Sequence, residues 1–215
     1  MAAARKPQDQ SGRTLGPRAL QTRQRLLDAT SELLERRSVR ELRVVEIARE
    51  VGTSPATFYQ YFRDVEEAIL CLVEQAAEDL PAIVELMEGP WQGGRGLDTA
   101  RAIADAFVRH WDTHGAVLRV RNLKAEEGDR AFRRMRQAAL SPVVERLARV
   151  VEEHQKAGKV SQEISAWAAA SSIIAMLERM SSYHAMFERA GVTRAQLVET
   201  CARILHQTVT GRQAT

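Results

Sequence analysis

Residues Val44–Phe62, VVEIAREVGTSPATFYQYF, leave the backbone few choices. Val44, Ile47, Ala48 and Val51 recur at three- and four-residue spacing, which predicts a short amphipathic helix. Gly52 follows where a helix commonly closes through a left-handed residue. Ser54 then offers a capping oxygen, and Pro55 suits the first helical position, where a missing N–H costs nothing. A second helix therefore runs to Phe62. Phe58 and Phe62 share one face of it. With Ile47, Val51, Leu27 and Leu34 they are expected to close a three-helix core. Two short helices joined by a glycine turn form a helix-turn-helix.

The rest of the chain keeps a helical period. Leu26, Leu27, Thr30, Leu33 and Leu34 mark a first helix from about Thr22, and Asp64-Val-Glu-Glu67 reads as a capped start for a fourth. Pro81 is expected to kink or end that fourth helix past Leu80. A Gly-rich loop, Glu88–Gly96, follows. Further helices are expected to Trp111, broken at Asp112–Gly115, then over Ala116–Glu126, Arg130–Ala157 with Pro142 inside, Ile164–Arg189, and from Thr193 to Thr210. No stretch reads as a strand. The expected fold is all-α with about nine helices: an N-terminal three-helix helix-turn-helix domain and a C-terminal helical ligand-binding and dimerisation domain. The expected divisions are a flexible basic arm over 1–20, carrying Arg5, Lys6, Arg13 and Arg18, a DNA-binding domain over 21–68, and the controlling domain over 69–215.

The net charge is only +3, so the placement of charge matters more than its sum. Cys71 and Cys201 match no metal or redox spacing and read as small buried hydrophobes of a reducing compartment. No apolar run reaches the ~18 residues of a membrane span, and the N-terminus lacks the apolar core of a secretory signal. A cytoplasmic protein without a membrane partner is expected. There is no nucleophile motif and no phosphate-cradling loop. His110 and His114, four apart, suit a metal, but no third ligand is evident and Gly115 is expected to end the helix there. No enzyme, no catalytic residue, no metal site and no cofactor is therefore expected.

With Phe58 and Phe62 turned inward, Ala56, Thr57, Gln60 and Tyr61 face out, with Tyr59 at the side. Exposed aromatics on a small domain call for a partner. Tyrosine hydroxyls donate to phosphate, the Ala56 and Thr57 methyls suit a thymine methyl, and Gln60 can read adenine. The expected partner is double-stranded DNA, with Arg43, Ser54, Pro55, Ala56, Thr57, Tyr59, Gln60, Tyr61 and Arg63 at the contact.

AREVGTSPATFYQYF, followed by an acidic helix start, resembles the signature of the tetracycline-repressor (TetR) family of transcriptional regulators over about Thr22–Leu72. The resemblance implies a homodimer whose C-terminal domain dimerises and holds a small-molecule pocket. It implies that Ser54 opens the recognition helix, that Thr57 touches bases or phosphate, that Tyr59 and Tyr61 contact the backbone, and that Phe58 and Phe62 lie in the core. Three positions depart from the family's habit. Ser38 stands where glycine usually follows the first helix, Arg43 where threonine opens the second, and Val65 where lysine opens the fourth. Arg43 offers phosphate more charge, and Arg63 stands beside Val65.

On that reading an unidentified small apolar or amphipathic effector is expected among Met87, Trp91, Phe107, His110, Trp111, Asn122, Phe132, Met135, Met176, Glu178, Met180 and Tyr183. Methionines and aromatics together make adaptable cavities. A dimer interface is expected from Trp167, Ala170, Ile174, Leu177, Leu197, Cys201, Ile204 and Leu205, whose apolar faces would be poorly covered in a monomer. The basic run Arg119, Arg121, Lys124, Arg130, Arg133, Arg134 and Arg136 reads as a solvated face or as a landing site for an acyl-coenzyme A phosphate. The expected function is a ligand-responsive repressor that binds a pseudo-palindromic operator as a dimer and is released by its effector. The alternative is a small-molecule or acyl-CoA-binding protein of the same fold without operator binding.

Overall fold

The computed structural model describes residues 8–211. Arg5 and Lys6 of the expected arm lie outside the described residues. Ten α-helices are present among them: α1 Pro17–Arg36, α2 Val44–Glu50, α3 Pro55–Tyr61, α4 Val65–Ala77, α5 Leu80–Leu86, α6 Gly93–Glu126, α7 Arg130–Lys156, α8 Ala166–Ser182, α9 His184–Arg189 and α10 Arg194–Thr210. The described residues contain no strand, only an isolated antiparallel bridge between Gln8 and Thr14.

The all-α class stands as read, and several details differ from the sequence reading, among them the helix expected over Ile164–Arg189, which is two, α8 and α9, divided at Tyr183. Helix α1 starts at Pro17, inside the segment expected as an arm, because proline suits a first turn. Pro81 does not kink a long helix but opens the separate α5. Asp112–Gly115 breaks nothing, and α6 runs through it for 34 residues. A mid-helix glycine costs about 1 kcal/mol, and Gly115 is buried, so packing outweighs that penalty.

The chain divides into two compact units. One takes the residues up to Gln75 together with Ala116–Arg133; the other takes Ala76–Gly115 and Arg134 onward. In the first unit, Leu26, Leu27, Ile47, Ala48, Phe58, Phe62, Ala68 and Ile69 are all fully buried. Phe132 is buried in the same unit. Ion pairs within it include Lys124 to Glu66 at 2.6 Å and Arg40 to Glu127 at 2.8 Å.

The second unit has one continuous core drawn from α5 to α8 and α10, including Met87, Ile103, Phe107, Val143, Leu147, Ile174, Leu177, Cys201 and Leu205. Arg146 fastens the loop after α5, donating to the Met87 carbonyl at 3.1 Å and pairing with Glu88 at 2.6 Å. Arg101 and Arg203 converge on Glu199, each at 2.6 Å, and hold its carboxyl at about 2. His206 is buried in this unit, and neither ring nitrogen has a hydrogen-bond partner among the described residues. Burial disfavours its charged form, and the nearby His154 adds to the effect, so its pKa lies below 6.5.

As pH falls below 6.5 the unfolded chain takes up a proton at His206 before the folded chain does. Stability therefore drops until the folded form also protonates. Urea midpoints measured across that acidic range are expected to fall in the parent protein, and to fall less steeply in His206→Gln.

Candidate functional site

The helix-turn-helix is built from local rules that its residues satisfy in full. Helix α2 closes through Gly52 at φ 70°. The Gly52 N–H donates to the Arg49 carbonyl at 3.0 Å and the Thr53 N–H to the Ala48 carbonyl at 2.8 Å. Both bonds of a Schellman close are thus present. Ser54 accepts from the Thr57 N–H at 3.3 Å and lies 3.1 Å, oxygen to oxygen, from the Thr57 hydroxyl. Arginine has no side-chain acceptor, so at the start of α2 the Glu46 carboxylate turns back to the Arg43 N–H at 3.2 Å. Glu46 also pairs with Arg37.

Burial separates the two faces of α3. Phe58 and Phe62 are fully buried, with ring centroids 5.3 Å apart. Arg43, Ser54, Ala56, Tyr59, Gln60 and Arg63 are exposed, while Pro55, Thr57 and Tyr61 are half-buried. Tyr59, at 51 % exposure, stands edge-on to Phe58. The Arg43 guanidinium forms no ion pair with a described residue. Arg63 differs, because its side chain lies 3.2 Å from Glu67, one turn on. Val65 is half-buried, so the position expected to hold a basic residue is apolar and partly covered.

The segment expected as a flexible arm is folded from Gln8 onward. Asp9 accepts from the N–H groups of Ser11 and Arg13, each at 2.9 Å, and Gly12 turns the chain at φ 81°. The Ser11 hydroxyl, also bonded to Asp9, holds that carboxyl below its usual range. This turn delivers Gln10 to the carbonyl end of α3. Its N–H donates to the Gln60 carbonyl at 2.9 Å and its side-chain amide to the Tyr61 carbonyl at 3.2 Å. The last carbonyls of a helix lack intrahelical donors, and Gln10 supplies two. The same amide lies 3.1 Å from Glu67.

The residues expected around an effector divide between the two units. Asn122 and Phe132 belong to the first unit, where the Asn122 amide oxygen accepts from Arg121 at 3.0 Å. The others belong to the second. Met87, Trp91 and Phe107 are core residues there, and Met176 and Met180 pack against them. The Trp91 indole donates to the Met87 carbonyl at 3.1 Å. Trp111 is buried, and Met135 is half-buried. Glu178 is buried and pairs with Arg136 at 3.1 Å, and Tyr183 carries the Arg179 guanidinium over its ring at 4.2 Å. Of this set His110 borders an open cleft in the unit. That cleft holds about 460 Å³ and is lined by Glu78, Asp79, Ala82, Ile83, Leu86, Ala106, Arg109, His110 and Thr113. Asp79 also meets both histidines of α6 here: His114 Nε2 is 2.8 Å and His110 Nδ1 3.8 Å from its Oδ2.

The residues of the expected dimer face differ in exposure. Ala170, Ile174, Leu177, Leu197, Cys201 and Leu205 are at most 4 % exposed within the single chain. They fill the second unit's own core, where α8 packs on α10. Trp167 at 52 % and Ile204 at 43 % remain on the surface of those helices.

Residues 26–67 match the family of bacterial regulatory proteins called tetR, and residues 83–215 match the tetracyclin repressor-like C-terminal domain. The chain belongs to the TetR family. It is a DNA-binding, ligand-responsive transcriptional regulator, with the fold of regulators rather than of enzymes. Among solved TetR-like structures, the MbdR regulator from Azoarcus sp. CIB superposes with a TM-score of 0.68 at 16% identity, over 87% of this chain and 98% of that one. The fatty acid degradation regulator FadR from Bacillus halodurans gives 0.64 at 15%, over 94% and 99%. FadR from Bacillus subtilis, solved with stearoyl-CoA, gives 0.64 at 15%, over 88% and 99%. At these identities the likeness is one of fold. No helix among the described residues is long and apolar enough to cross a membrane.

Gly52→Ala forces a side chain into the left-handed region at the turn that sets α3 against α2. The expected loss is about 1–2 kcal/mol of stability, read from urea unfolding.

Proposed function

We propose that this TetR-family regulator acts in the cytoplasm as a dimeric repressor. It places α3 of each copy in successive major grooves of a pseudo-palindromic operator. The observation that carries this reading is the split of α3. Phe58 and Phe62 anchor one side, and the other presents Ala56, Tyr59 and Gln60, flanked by Arg43 and Arg63, to solvent. In this scheme Gln60, Thr57 and Ala56 read base edges. Arg43, Ser54, Tyr59 and Tyr61 hold the phosphate backbone, and Pro55 keeps the first turn of α3 close to the DNA. Arg63 adds a weaker contact, since Glu67 competes for its charge.

The second unit is the controlling domain in this reading. Dimerisation uses the outer faces of α8 and α10 around Trp167 and Ile204. The effector, a small apolar or amphipathic molecule, enters the cleft over Ile83, Leu86 and Ala106 and weakens operator binding. Operator and effector must then weaken each other by the same factor. The stearoyl-CoA bound to the Bacillus subtilis regulator makes acyl thioesters the first class to try.

Fluorescence anisotropy with the DNA upstream of the protein's own gene tests the interface. Arg43→Ala is expected to weaken binding evenly across operator variants and to lower the slope of log K against log salt by about one. Gln60→Ala is expected to cost about 1–3 kcal/mol and to relax preference at one base pair. An absence of binding to any upstream fragment would favour the alternative, an effector-binding protein without an operator, to which the apolar Val65 lends support. Sedimentation of Trp167→Glu combined with Ile204→Glu is expected to show monomers at concentrations where the parent is dimeric.

A further inference from the structure

We propose that Asp79, His110 and His114 bind a divalent first-row transition ion, Zn²⁺ foremost, at the edge of the cleft in the second unit. The three side chains come from two elements. Asp79 stands immediately before α5. His110 and His114 lie one turn apart on α6 with ring centroids 5.2 Å apart, so both project from the same side. That pairing depends on α6 continuing through Gly115. One ligand atom from each residue lies within 4.8 Å of the other two. Around a tetrahedral zinc with ligands at 2.0–2.1 Å, neighbouring donors sit about 3.4 Å apart. The present spacings of 2.8 Å and 3.8 Å to one carboxylate oxygen bracket that value. The Asp79 side chain is 57 % exposed and has room to close the set.

The donor chemistry selects the ion. Two imidazoles and a carboxylate suit zinc, nickel, cobalt or ferrous iron, whereas magnesium and calcium favour all-oxygen sites. The burial gradient gives the site its form. The side chain of His110 is 6 % exposed and that of His114 22 %, so protein covers one side of the ion and leaves the other open. Three protein ligands with a vacant position accept an outside donor, whereas structural zinc sites close with four. Here Asp79 and His110 also line the cleft, together with the apolar Ala82, Ile83 and Ala106. The open position therefore takes water or the oxygen donor of a molecule whose body occupies that cleft. This site does not depend on DNA binding.

A plain ion pair among the same residues is the competing account. Untagged full-length protein, stripped with chelator and desalted, separates the two when titrated calorimetrically with Zn²⁺. One saturable site per chain is expected, with a rise in melting temperature. Asp79→Asn and His114→Gln are each expected to weaken uptake more than about ten-fold. His184→Gln, which removes a different histidine–aspartate pair in the same unit, should leave it unchanged. Co²⁺ titrated into the parent protein gives an independent reading that no variant's folding can confuse: intense visible bands mark a four- or five-coordinate imidazole site. No saturable uptake, full affinity retained in both ligand variants, or a Co²⁺ spectrum like that of the hydrated ion would overturn the proposal.

Discussion

A seven-residue helix is unstable alone in water, since nucleation costs more than one or two turns return. Helix α3 is such a helix, and the surface it presents to solvent depends on the burial of Phe58. That ring is fully buried and meets both Tyr59 and Phe62. Burying one phenylalanine side chain is worth about 1.5–3 kcal/mol, comparable to the whole free energy at stake in so short a helix. The Ser54 cap and the Gly52 close then fix where α3 begins and how it leaves α2. Tyr59 and Gln60 point outward because Phe58 and Phe62 point inward.

The first unit was legible where its rules are local. A glycine stop, a serine cap and a proline at the first position act within a few residues, and they lie where the sequence puts them. The Gln10 contact was not legible, because it joins residues 51 positions apart through a glutamine that has no periodicity to betray it. Arg43 is exposed, and its missing capping acceptor is made good by Glu46, which bonds the Arg43 N–H. Gly115 misled for a different reason. A local penalty of about 1 kcal/mol is a fair ground for ending a helix and a small one beside tertiary packing.

In the second unit the apolar stripes of α8 and α10 were plain, but their destination was not. An apolar face looks the same in sequence whether its own chain or a second copy covers it. The structure sends Ile174, Leu177, Cys201 and Leu205 into the chain's core and leaves Trp167 and Ile204 outside. Met87 and Phe107, attractive as cavity walls, belong to the same core. An open cleft lies beside α5, lined in part by Ala82, Ile83 and Ala106. The histidine pair was visible as a spacing. Its third member was not, since Asp79 is 35 residues from His114 and belongs to a connection with no pattern of its own.

Gln10 has a bearing on how tightly a DNA reader can bind. Ordering a loose helix end on the operator would subtract its lost backbone freedom, about 1–2 kcal/mol per residue, from the binding energy. In this protein the end of α3 already has donors for its free carbonyls before any DNA arrives. That ordering is completed during folding, so the outer face of α3 is preorganised. On the proposed reading, residues ahead of the first helix contribute to affinity by ordering α3 in advance.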